Sequence, residues 1–227
     1  MRKYDFNTAQ GINFWIANSK NVQERINRYY KKDSTVIYPP VEVNKIVRLT
    51  KGLKKKNYYL IVSRLVGAKG LEDAASAVKS LGVDLWIAGE TSGFTDIENK
   101  LSKLSGGKIK FLGRLPDAGL YRVLGEAKGF IALARDEDFG MTVVEAQAAG
   151  TPVIAFNGGG FKESVTDGLT GILVENTDEK TLTSAFKRFE KIRWDKAVLV
   201  KNVERFSRER FEKEMQNYVE RVLNDKK

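Results

Sequence analysis

From residue 58 onward, short apolar runs alternate with stretches of helical periodicity. The runs fall at 58–62, 84–88, 109–112, 130–134, 153–156 and 172–174. Between and after them, apolar residues recur at helical spacing over 71–81, 95–104, 117–127, 142–149, 161–165 and 180–192. Strands that alternate with helices predict an α/β fold: a Rossmann-like, doubly wound parallel sheet of about six strands. Right-handed crossovers place its helices on both faces. Over 208–223, Phe211, Met215, Tyr218, Val219 and Val222 share one stripe and predict a packed amphipathic helix.

Ahead of this alternation the pattern is shorter. The apolar run 12–17 reads as a buried strand, and Asn18-Ser19 offers an N-cap. Val22, Ile26 and Tyr29/Tyr30 then carry a helix to about residue 31. A strand at 35–38 is stopped by Pro39-Pro40, which cannot continue a ladder. Residues 41–57, ending in Lys54-Lys55-Lys56, read as a polar connector.

Composition narrows the chemistry. The 227 residues include no Cys and no His. Disulfides, thiolate metal sites, the usual zinc sites and nucleophiles paired with histidine are therefore excluded. Catalysis by this chain has to use carboxylates, Lys, Arg, Tyr, hydroxyls and backbone amides. No run of 18 apolar residues and no apolar leader follow Met1, so a soluble cytoplasmic protein is expected. The net charge of +10 is uneven: residues 1–57 carry 13 Lys/Arg against 4 Asp/Glu. Such a surface attracts phosphates, nucleic acid or an anionic membrane, or is simply a solvated basic face. No recognition motif accompanies the charge, which argues against nucleic acid.

In a doubly wound sheet, ligands bind beyond the carboxyl ends of the strands. The candidates follow the strands. Arg64 and Lys69 flank a loop that opens a helix, which suits a diphosphate or is plain solvated surface. Gly89 follows the second strand, as close backbone approach or as a plain turn, and no G-x-G-x-x-G is present. Gly113-Arg114-Leu115 after the third is similar. The strongest segment runs from Arg135 to Ala146, with Glu137 and Glu145 eight apart across a helix start. A carboxylate there can merely offset the helix dipole. Glu145, however, sits inside the helix among Val, Ala and Gln and needs a partner, which adjacent sugar hydroxyls can supply. The loop Asn157-Gly158-Gly159-Gly160 ahead of Glu163 leaves amides open to a ligand or is an ordinary loop.

Taken in order, these segments resemble the C-terminal, donor-binding domain of GT-B enzymes in glycosyltransferase family 4, the glycosyl transferases group 1. Glu137 to Glu145 resembles that family's E-x7-E motif, and Arg64-Leu65 with Lys69 its R-L-x-x-x-K loop. Ala149-Gly150-Thr151-Pro152-Val153-Ile154-Ala155, Gly158-Gly159 with Glu163, and Asp167-Gly168-Leu169-Thr170-Gly171 resemble its later motifs. The resemblance covers most of residues 12–211.

It implies retaining transfer of a sugar from a nucleoside diphosphate sugar, with no cofactor and no divalent metal requirement. Arg64 and Lys69 are then expected to hold the diphosphate, with Glu137 bonded to the donor sugar; these three are the expected catalytic residues. The amides of Phe139, Gly140, Met141 and Thr142 contact sugar hydroxyls and phosphate, and Glu145 takes the ribose hydroxyls. Leu115 offers its backbone to the base, and Gly89 gives the nucleotide room. The Glu-Asp-Phe-Gly form and the Tyr-Pro-Pro-Val linker are most similar to mannosyltransferases using GDP-mannose, with a glycan or lipid-linked acceptor. Residues 1–45 are expected to be a strand, helix and linker of an N-terminal domain, and 46–227 the donor domain. Alone, such a chain is expected to bind donor with little or no transfer. The alternative is a non-catalytic nucleotide-sugar-binding or assembly subunit that works with a partner chain.

Overall fold

A computed structural model of the chain describes residues 2–63, 70–90 and 95–224. It begins with α1 (Arg2–Gln10), β1 (Ile16–Ala17), α2 (Lys20–Tyr30), β2 (Thr35–Val36) and α3 (Val43–Leu49). β3 (Tyr58–Val62), α4 (Leu71–Leu81), β4 (Asp84–Ala88), α5 (Thr95–Leu104) and β5 (Ile109–Gly113) follow. Then come α6 (Asp117–Glu126), β6 (Gly129–Ala132), α7 (Met141–Ala148), β7 (Val153–Phe156), α8 (Phe161–Ser164) and β8 (Gly171–Val174). The chain closes with α9 (Glu179–Lys191), α10 (Lys196–Val203), a 3-10 turn at Glu204–Phe206, and α11 (Arg208–Asn224).

Six strands form one parallel sheet in the order β5-β4-β3-β6-β7-β8. The expected doubly wound sheet is present. Side chains alternate between two cores. Tyr58, Leu60, Phe130 and Val153 pack against α3, α6 and α7. Tyr59, Ile61, Ile131 and Ile154 pack against α4, α5 and α9. The central strands are buried on both faces, which explains their unbroken apolar runs.

The structure corrects several expectations, among them the strand expected over 35–38, which is only Thr35–Val36 because Ile37 and Tyr38 have already left the two-residue ladder. The strand expected over 12–17 shrinks to Ile16–Ala17. It pairs in parallel with β2 in a separate two-stranded sheet and does not join the large one. Ile12, Phe14 and Ile16 point outward, being 47%, 42% and 37% exposed, so the apolar run was no measure of burial. The polar connector over 41–57 contains α3, anchored by the buried Val43 and Ile46. α1 and α10 were not foreseen. α10 is held by Leu199 and Val203, four apart and buried. α11 carries the expected stripe but buries none of it. Its Tyr218 hydroxyl instead donates to the Trp15 carbonyl at 3.5 Å. No helix among the described residues is long and apolar enough to cross a membrane.

Candidate functional site

The strand order reverses between β3 and β6, and the crevice of a doubly wound sheet opens at such a point. A cavity of about 210 Å3 lies there, lined by Val62, Ser63, Leu133, Ala134, Glu137 and Thr142 among others. Two of the expected site residues, Glu137 and Thr142, therefore meet at the carboxyl end of the central strands. A larger groove of about 810 Å3 lies between α1 and α2 and shares only Asp138 with the acidic segment.

The acidic loop is turned by its backbone. The Glu137 carbonyl accepts from the Gly160 amide at 2.8 Å. The Phe139 ring is buried between Tyr38 and Phe206, with centroids 5.5 and 5.2 Å away. Gly140 then adopts φ +85° as the residue ahead of α7. Burying Phe139 leaves Met141 outside, 43% exposed, and starts α7 beside the cavity. The first amides of a helix lack intrahelical acceptors and carry the positive end of its dipole. The backbone at Met141 and Thr142 is thus suited to an anion or to hydroxyl oxygens.

Glu145 lies one turn into α7, half-buried and close enough to Asp117, the first residue of α6, to feel its charge. Burial, and then the nearby Asp117 carboxylate, push its carboxyl up to about 7. No described residue donates a hydrogen bond to it. The same group of acids bears on Tyr121, which burial, then Glu145, Asp117 and Glu42, push up to about 12. A carboxylate kept this way is costly in the free protein, and a ligand with paired hydroxyls relieves it.

The other expected residues fall along the same sheet edge. Gly89 follows β4, and its amide donates to the Gly113 carbonyl at 2.8 Å. Leu115 follows β5 and is half-buried against the core. Arg64 and Lys69 lie outside the described residues. The next residue, Gly70, is so close to the end of β6 that a Cβ on it would stand 2.6 Å from Leu133 Cβ.

Sequence reasoning missed one contact set. Glu163 does not line the cavity. Its carboxylate accepts from the amides of Lys20 and Asn21 at 2.9 and 3.0 Å and from the Tyr38 hydroxyl at 2.9 Å. No local pattern announces a bond between residues more than 120 positions apart. The expected N-cap is present: Ser19 Oγ accepts from the Val22 amide at 3.0 Å.

Comparison with known proteins agrees with this geometry. The family described as Glycosyl transferases group 1 matches residues 45–209, more than half of the chain, and the chain belongs to that family. An uncharacterized glycosyltransferase of Methanocaldococcus jannaschii is 30% identical over 202 residues, which cover 81% of this chain and 56% of that protein. The chain thus spans little more than half the length of this relative. A glycosyltransferase from Rickettsia africae superposes with a TM-score of 0.80 at 22% identity, covering 98% of this chain and 66% of that one. Anabaena HepE, solved with UDP and glucose, superposes at 0.76 with 20% identity, covering 96% and 66%. These two likenesses show the GT-B fold alone.

Proposed function

We propose that this chain is the donor-binding domain of a retaining glycosyltransferase and binds a nucleoside diphosphate sugar in the crevice beside β3 and β6. The observation that carries the reading is Glu145, a half-buried carboxylate pushed up to about 7 and lacking a described hydrogen-bond donor. In this reading the ribose 2′ and 3′ hydroxyls donate to it. The first amides of α7 meet phosphate and sugar oxygens, and Glu137 accepts from the donor sugar. Gly89 leaves room for the nucleotide, and Leu115 offers its backbone to the base. Arg64 and Lys69, by their place in the family pattern, neutralise the diphosphate as it departs. No metal or other cofactor takes part. The donor we favour is GDP-mannose, on the Glu-Asp-Phe-Gly form of the acidic loop. Transfer itself belongs to this domain combined with an acceptor site for a glycan or lipid-linked sugar.

The titration of Glu145 gives the reading a pH signature. Ribose hydroxyls bind the ionised carboxylate, so bound donor lowers its pKa from about 7. Affinity should therefore be highest above pH 7 and fall as pH drops through it. Between pH 8 and pH 6 the loss should be about tenfold, since roughly one free carboxyl in ten is then ionised. Calorimetric titration with a nucleotide sugar, whose diphosphate is esterified at both ends, checks this. A Glu145→Gln variant should lose the dependence. An affinity that is flat across pH 6–8 in the unaltered chain would sink the assignment of Glu145.

A further inference from the structure

The acidic loop is held from outside as well as from within. Ser19 Oγ, buried and already capping α2, donates to the Asp138 carbonyl at 2.6 Å. The Arg25 guanidinium, in the second turn of α2, reaches the Asp138 carboxylate at 2.6 Å and that of Asp136 at 3.4 Å. Asn21 Nδ2 donates to the Glu137 carbonyl at 3.4 Å. From the other side, the Glu163 carboxylate receives the first amides of α2 and the Tyr38 hydroxyl. Arg205 in turn donates to the Glu163 carbonyl at 2.6 Å. Two consecutive loop carbonyls, at 137 and 138, are thus fixed by α2, and α2 is fixed by Glu163.

All of the α2 contacts come from residues 19–25, outside the span 45–209 that matches the family. A negative charge at a helix start is favourable, and Glu163 supplies it from 143 positions away in sequence. The arrangement runs in a circuit: Glu163 holds α2, α2 holds the loop, and the Gly160 amide holds the loop to the segment before Glu163. Arg25 and its partners are exposed, so the ion pairs add little by themselves. The buried hydroxyl and the Glu163 bonds carry the arrangement.

We propose that Ser19 and Glu163 are positioning residues: through α2 they set where the loop 136–140, and with it Glu137, stands over the cavity. This inference rests on the donor-site reading only for its effect on sugar binding. A group placed slightly wrong loses most of its worth in a site, so a loosened loop should show where the sugar sits. Ribose and base contacts lie on α7 and beyond β4 and β5, away from the clamp.

The test compares Ser19→Ala and Glu163→Gln with the unaltered chain. Arg25→Ala serves as an exposed variant that keeps the fold. Calorimetry reads the affinity of each for GDP-mannose and for GDP, and for the UDP pair where that is the base bound. Amide hydrogen exchange reads the loop 136–141 without ligand. The expected result is faster exchange there, an affinity for nucleotide sugar lower by about tenfold, and an affinity for the nucleoside diphosphate within about twofold of the original. Arg25→Ala should move both readouts in the same direction but less. A merely structural role would weaken both ligands alike or neither, and that result would overturn the proposal. If the unaltered chain binds no nucleotide, the donor reading fails separately. Loop exchange then decides: faster exchange in the variants supports the clamp, and unchanged exchange overturns it.

Discussion

Replacing Glu145 by glutamine should make the chain more stable and a poorer binder at the same time. The carboxyl titrates near 7 in the folded chain, against an ordinary value of 4.5. Between those values the folded state holds more protons than the unfolded one, so stability falls as pH rises from about 4.5 to 7. At pH 8 the whole penalty is present. With a discount for the solvent that still reaches a half-buried group, glutamine should recover about 1–2 kcal/mol there and about a quarter of that at pH 5. Urea denaturation at the two pH values reads this difference. Donor binding should move the other way. Glu145→Ala removes a charged acceptor from two hydroxyls and should cost about 1–3 kcal/mol, up to a hundredfold in affinity. Opposite signs for stability and binding are the signature of a residue kept for its ligand. Equal stability of the glutamine variant at pH 5 and pH 8 would contradict the burial argument. Unchanged donor affinity in the alanine variant would contradict the role.

Gly140→Ala should be strongly destabilising, at about 2–4 kcal/mol. Two costs add. At φ +85° an L-residue strains its backbone. The new Cβ would also stand 2.5 Å from Cε1 of Phe161, a ring that is itself buried. Gly52 separates the two costs. It has φ +77° but nothing within 4 Å of the position a Cβ would take. Gly52→Ala should therefore cost only the backbone share, about 1–2 kcal/mol. Chemical denaturation of both variants checks the difference. Equal losses would mean that the Phe161 contact yields freely and does not fix the start of α7.

The residues that announced themselves in the sequence were those with a local reason to do so. The runs at 58–62, 84–88 and 153–156 match β3, β4 and β7 because these strands are sandwiched between two helical layers. The helices over 71–81 and 95–104 coincide with α4 and α5 for the same reason of periodic burial. α3 was hidden because two buried side chains, Val43 and Ile46, anchor it within a charged stretch. The run 12–17 misled in the opposite sense, because its alternate apolar side chains face outward. Glu137 and Thr142 were singled out from their place after a strand and at a helix start, and both line the cavity. Glu145 stood out as a carboxylate among apolar neighbours, and it is half-buried in the fold. The grip of Ser19 and Glu163 on the acidic loop was not, since it depends on a fold that brings residues 19–25 against 136–138 and 163. Phe139 was singled out for its backbone amide, and the packing of its ring as a wedge between Tyr38 and Phe206 was not legible.

The central claim is that this chain folds a donor site. Calorimetric titration with GDP-mannose, GDP, UDP-glucose and UDP at pH 8 tests it most directly. The account predicts saturable binding of one nucleotide family, with the nucleotide and its sugar both bound, and names GDP as the base it favours. Binding of the UDP pair alone would keep the site and replace the base. Binding of none of the four would contradict the claim.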